Sequence, residues 1–258
     1  MCRAIAEGGR RCDRTPSGTR SLTAADLVRT ASDLPEVEWL GRGDAEIAQV
    51  WSEHPPAVAA EAIGVLRDVG RREPEITKSL TALEEKGRRL HGLEFRLKSP
   101  GSLARKIRAR SRMLAGSSDS GLHGISARLS DVARYTVIAG QGDVAETARD
   151  IQASLSASGA KLAEADHSFV EGSTYKGLHM VYESDGLRFE VQVHTETSQS
   201  VKDRLHVLYE EARRLPPQDP RREVLERKMR TMSDTVGIPD GISALHELGG
   251  VPVERKVK

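Results

Sequence analysis

Residues 190–195, Glu-Val-Gln-Val-His-Thr, alternate without a break. Glu190, Gln192 and His194 fall on one side of an extended strand, Val191 and Val193 on the other. An acid, an amide and an imidazole on one face argue against a core, because burying unpaired polar groups costs roughly 2–7 kcal/mol each. The pattern therefore predicts a strand whose polar face lines a wet cleft. A run at 178–184 precedes it. Ser184-Asp185-Gly186 between them suits a tight turn, so the two predict a hairpin over 178–184 and 187–194. Leu93, Phe95 and Leu97 alternate as well, and 131–139 and about 160–169 read as further strands.

Elsewhere the period is helical. Thr23 and Asp44 are candidate caps. Pro55-Pro56 opens a helix over about 56–70, and Glu75 to Arg89 predicts another, with Leu80, Leu83, Lys86 and Leu90 on one face. Pro100-Gly101-Ser102 opens a basic helix over about 102–115, after which Gly116 to Gly124 reads as a loop. Asp143 caps a helix to about 157. A long helix covers about 197–214 and stops at Pro216-Pro217, and a last one over about 219–234 precedes a loose tail. Strands mingled with helices predict an α+β fold: a mixed sheet of about five strands flanked by helices, with helical N- and C-terminal extensions. The expected parts are a flexible leader 1–22, a helical region 23–85, a core 86–215, and a C-terminal helix and tail 216–258.

Composition narrows the setting. The 258 residues are 38% hydrophobic and 30% charged, which fits a soluble globular chain. No run of 18 apolar residues occurs, so no membrane is implied and a cytoplasmic location is expected. Cys2 and Cys12 have no nearby histidine, and a closed zinc site wants four ligands. They read as thiols in the leader. The net charge is only +1, yet Lys86 to Arg112 holds ten Lys and Arg against one acid, Glu94. That block suggests a polyanionic partner, a nucleotide or a nucleic acid.

Three groups of residues carry candidate chemistry. Arg96 and Lys98, two apart on the expected strand, share a face. Ser102 stands at a helix start, where free N–H groups favour an anion, and Lys106 one turn on. Together they suit a triphosphate. Asp131, at the start of a strand, is where a magnesium ligand would stand. In Tyr175-Lys-Gly-Leu-His179 the ring of Tyr175 could stack on a base and Gly177 admits a close approach. Lys202, His206 and Tyr209 follow at helical spacing, so they border the same cleft. His123 and His167 read as surface residues.

In order and spacing these segments resemble the synthetase domain of the RelA/SpoT alarmone family, a branch of the nucleotidyltransferase superfamily. The resemblance rests on Arg96, Lys98, Ser102, Lys106, Asp131, Tyr175 to His179, Glu190 to Thr195, His206 and Tyr209, and covers roughly 85–215. It differs in two places. Thr136 stands where the family's catalytic strand has a phosphate-binding arginine, with Arg134 at its glycine position, and His194 replaces the arginine of Gln-(Ile/Val)-Arg-Thr. Histidine is neither always charged nor bidentate, so a weaker phosphate grip or a different acceptor is expected. The departures resemble divergent, toxin-like members.

The resemblance implies an ATP-dependent pyrophosphokinase acting on the ribose 3′-hydroxyl of a purine nucleotide. Arg96, Lys98, Ser102, Lys106 and Arg134 would bind ATP. Asp131 and Glu190 would be catalytic and hold Mg²⁺. Tyr175, Lys176, His179, Gln192, His194, Lys202 and His206 would bind the acceptor. Two alternatives stay open: pyrophosphorylation of the tRNA 3′ end, and a degraded domain that binds nucleotide without turnover. A homo-oligomer is compatible with each.

Overall fold

The computed structural model describes residues 35–39, 47–84, 88–115 and 121–258. Cys2, Cys12, the leader, the caps at Thr23 and Asp44, and Lys86 lie outside the described residues. Helix α1, Ile47–Glu53, leads into α2, Pro56–Thr81, which Pro55-Pro56 opens as expected. The two helices expected over 56–89 are one helix of 26 residues, running through Gly70 and Pro74. An interior proline costs about 3 kcal/mol. The buried stripe of Ala62, Leu66, Val69, Ile76 and Leu80 offsets that by tying both halves to the core.

The region expected to continue that helix instead forms strand β1, Arg89–His91. Gly92 then turns the chain at φ 61°, and Leu93–Phe95 is a 3-10 turn rather than a strand, leaving only a Leu97–Ala133 bridge. Helix α3, Pro100–Met113, begins on a Ser99 cap whose hydroxyl accepts from the Ser102 amide. The loop expected from 116 to 124 is described only from 121 on, where α4 spans Leu122–Ser126. Strand β2 is Arg134–Ala139, so Asp131 precedes it by three residues. Helix α5, Val144–Ala157, and strand β3, Lys161–His167, follow.

Strands β4, Leu178–Ser184, and β5, Leu187–Thr195, form the expected hairpin, with Asp185 and Gly186 at φ 48° and 77°. Thr195 and Ser198 close a capping box on α6, Glu196–Arg214, and Asp219 caps α7, Pro220–Ser233. The tail is not loose. After a 3-10 turn at Ile242–Ala244 it forms β6, Glu247–Leu248, and β7, Val251–Arg255.

Among the described residues the strands make one mixed sheet of an α+β fold in the order β1-β2-β5-β4-β3-β7-β6, with seven strands where about five were expected. β2 runs parallel to β5 and β3 to β7, and the other pairs are antiparallel. One face carries Tyr135, Val137, Phe189, Val191, Val193 and Met180, all buried. Helices α2 and α5 pack on that side, and the Tyr135 hydroxyl lies 3.0 Å from Thr77. The opposite face carries Arg134, Glu190, Gln192, His194 and His179.

Candidate functional site

The start of α3 and the approach to β2 frame a cleft of about 320 Å³, lined by Trp39, Phe95, Lys98, Ser102, Asp131 and Arg134 among others. Asp131 sits between two ammonium groups: Lys98 Nζ is 2.9 Å from Oδ2 and Lys106 Nζ 2.7 Å from Oδ1. Burial pushes the Asp131 carboxyl up, but the two lysines win and hold it at about 2. Lys98 goes down, because its own burial outweighs the attraction of Asp131. The sequence did not single out Trp39 or Phe95. Yet Phe95 is 43% exposed in a chain with nine aromatic residues, and the Trp39 indole nitrogen is buried with no hydrogen-bond partner among the described residues. An aromatic rim beside cations suits a base with attached phosphates.

A second polar group lies on the open face of the sheet. His179 Nδ1 is 2.9 Å from Glu190 Oε1, and the Gln192 amide donates to the same oxygen. The Tyr175 hydroxyl lies 2.7 Å from His194 Nε2, and Lys202 Nζ donates to Gln192 Oε1 at 2.8 Å. His194 Nδ1 reaches Ser198 Oγ at 3.1 Å. This face was expected to line open water. Instead Glu190, Gln192 and His194 are each less than 9% exposed. The polar groups are buried because they satisfy one another, with Tyr175 and Lys202 of α6 as the cover.

Charge follows from that packing. Burial pushes Glu190 up, but the hydrogen bond and charge of His179 win and hold it at about 2. Burial drives His194 well down, helped by Lys202, so it is a neutral hydrogen-bonding group. Burial, then Arg134, lowers Lys202 to about 8. Arg134, exposed at the head of β2, stands in register with Glu190 and lines the Asp131 cleft. Its charge reaches Lys98 on one side and Glu190, His194 and Lys202 on the other. It is the cation shared by the two groups.

Other expected residues are turned differently, although Arg96 is itself among the residues lining the Asp131 cleft. The Arg96 guanidinium is turned into the core, with Nε 2.5 Å from Glu73 and Nη1 on the carbonyls of Pro35 and Leu93. The 3-10 turn at 93–95 breaks the strand parity that would have aimed it with Lys98. Lys176 is buried against the Val170 carbonyl and Asp234. His206 and Tyr209 are exposed on the outer stripe of α6, while Lys202 one turn earlier joins the buried group. Among the lone histidines, His123 is exposed, but His167 is only 1% exposed, on β3.

For the magnesium expected at Asp131 and Glu190, the donor set is thin. No cluster of three or more His, Cys, Asp or Glu able to hold a metal occurs among the described residues. Asp131 offers one carboxylate, and both its oxygens face ammonium groups. That fits only an ion held mainly by substrate phosphates, as Mg²⁺ often is. Glu190, engaged by His179 and Gln192, is not among the residues lining the Asp131 cleft. No helix among the described residues is long and apolar enough to cross a membrane.

No protein-family model matches the chain, and no curated protein matches it. Among solved structures it is similar to small alarmone synthetases. The small alarmone synthetase 1 of Bacillus subtilis, bound to its product pppGpp, matches with 14% identity and a TM-score of 0.41, over 66% of this chain and 86% of that one. A GTP pyrophosphokinase family protein of Streptococcus pneumoniae gives the same figures. The small alarmone synthetase 2 of Bacillus subtilis gives 11%, 0.41, 68% and 90%. Likeness at this level carries neither activity nor substrate to this chain.

Proposed function

We propose that the chain transfers the β,γ-diphosphate of ATP to the ribose 3′-hydroxyl of a purine nucleotide. The observation that carries this reading is Arg134, which joins a lysine-flanked carboxylate at a helix start to a buried Glu190–His179–Tyr175–Lys202 group. Lys98, Lys106, Ser102 and Arg134 hold the phosphates, and Trp39 and Phe95 rim the donor base. Asp131 would bind a divalent cation together with phosphate oxygens, and that ion would supply charge neutralisation at the β-phosphorus. Tyr175 and Lys202 face the acceptor, and Gln192 beneath them accepts from both.

In the step, the 3′-oxygen bonds to the β-phosphorus and the bond from that phosphorus to the α,β-bridging oxygen breaks, releasing AMP. The hydroxyl proton needs an acceptor. Glu190 is held at about 2, which makes it a poor base at neutral pH. It serves instead to fix His179 through Nδ1. His179 Nε2 is itself buried, so the hydroxyl proton passes to a phosphate oxygen of the nucleotides. Positioning of the reactants does most of the work.

The outer face of α3 favours a second acceptor, the 3′ end of tRNA. The helix contains no acid, and Arg105, Arg110 and Arg112 are exposed along it. The test is to incubate the protein with γ-labelled ATP, Mg²⁺ and a panel of purine nucleotides and tRNA, then separate the products. Label on a nucleotide supports the first reading and label on tRNA the second. Intact ATP with every acceptor, together with binding by calorimetry, identifies a domain that binds without turnover.

A further inference from the structure

The loop that carries Tyr175 is held by parts of the chain outside the region of resemblance. It leaves β3 and returns at β4, closed by the Ser168 amide on the Gly177 carbonyl at 2.9 Å. From the end of α7, Ser233 Oγ donates to the Thr174 carbonyl at 2.5 Å, and Asp234 pairs with Lys176 at 3.3 Å. From the residues after β7 the grip is denser. The main-chain oxygen of Lys258 accepts from the Thr174 amide at 2.7 Å and the Thr174 hydroxyl at 2.8 Å. The Lys258 amide donates to Ser173 Oγ at 3.0 Å, and that hydroxyl donates to the Tyr175 carbonyl at 2.7 Å.

The Lys258 side chain completes the contact. Its Nζ is 2.5 Å from Asp166 and 5.8 Å from the centre of the Tyr175 ring. The segment reaches this place because β7 pairs in parallel with β3, Asp166 opposite Glu254, and the Lys256 amide continues onto the His167 carbonyl at 2.9 Å. The ring is thus fixed on its backbone by Ser173 and Thr174, and at its face and edges by Lys258, Lys202, His179 and His194.

We propose that β7 and residues 256–258 are a brace that sets the position of the Tyr175 ring, making Ser173 and Lys258 positioning residues for the acceptor. The proposal rests on the acceptor role given to Tyr175 above. In Ser173→Ala and Lys258→Ala proteins the KM for the acceptor should rise about tenfold, the equivalent of one or two lost hydrogen bonds, with the KM for ATP unchanged. Ser173→Thr and Lys258→Arg should restore it. Hydrogen exchange supplies a readout that needs no activity: the Thr174 amide should exchange slowly in the natural protein and faster in both alanine variants.

Unchanged exchange in both variants overturns the brace. Faster exchange with an unmoved acceptor KM overturns its functional role, as does an equal rise in both KM values. If the natural protein transfers to no acceptor, the parent reading fails, and exchange alone decides the brace.

Discussion

A Cβ added at Gly177 would stand 2.7 Å from Cε1 of His194 and 2.9 Å from the Tyr175 hydroxyl. His194 is fully buried and pinned by Ser198 and Tyr175, so it has nowhere to move. The glycine of Tyr-Lys-Gly-Leu-His therefore lets a tyrosine and a histidine close over the chain. Gly177→Ala should cost about 1–3 kcal/mol of stability and weaken acceptor binding, leaving ATP affinity unchanged. Urea unfolding and calorimetry with each nucleotide check this. An alanine variant that binds acceptor normally would show that the Tyr175–His194 contact is dispensable.

Asp131 and Glu38 are the carboxylates among the described residues lining the cleft, and Asp131 is the one paired with Lys98 and Lys106. Asp131→Asn keeps the size of the side chain and removes the charge that holds Lys98 and Lys106. Diphosphate transfer should fall about 10²–10³-fold, with an unchanged circular dichroism spectrum. Lys106→Met should instead raise the KM for ATP about 10–100-fold, as expected for one lost charge-assisted hydrogen bond of about 1.5–3 kcal/mol. Steady-state kinetics separate the two, and an equal loss of kcat in both would contradict the division of labour.

Much of this was legible in the sequence, and the reasons for the exceptions are physical. The 178–195 hairpin showed because its alternation and its Asp-Gly turn agree. Lys98 on an expected strand, Lys106 one turn into an expected helix and Asp131 at an expected strand start stand out by residue type and position, and they meet. Arg96 was aimed wrongly because Gly92 turns the chain and Glu73, 23 residues earlier, captures the guanidinium; no local pattern encodes that pairing. The polar face was read as wet because burial of polar groups is costly alone, and a one-strand view cannot see Tyr175 and Lys202 arriving to satisfy them. The tail strands were missed because Glu247–Leu248 and Val251–Arg255 are short and draw their stability from β3.

Lys202 gives the site a pH dependence. Burial and Arg134 bring it to about 8, below its ordinary 10.5, so it is charged below about pH 8 and loses its charge above. Affinity for an anionic acceptor should be full near pH 7 and fall as pH rises past 8. The fold favours neutral Lys202, so this group's contribution to stability runs the other way, growing as pH climbs from about 8 toward 10.5. Acceptor titrations from pH 6.5 to 9.5 check the binding limb. In Lys202→Met the decline should vanish; a decline that persists would assign it to another group.

The Arg96–Glu73 pair is predicted to be structural. Both side chains are fully buried, Thr77 also donates to Glu73, and Tyr135 lies beside them. Arg96→Met leaves Glu73 in the core without its partner, a loss of about 3–5 kcal/mol. Removing both charges, as Arg96→Met with Glu73→Leu, should recover most of it, since two apolar groups replace a desolvated ion pair. Urea melts of the four proteins give the coupling. The KM for ATP should be unchanged in whichever variants fold. A variant at Arg96 that kept its stability yet bound ATP at least tenfold more weakly would return the guanidinium to the phosphates.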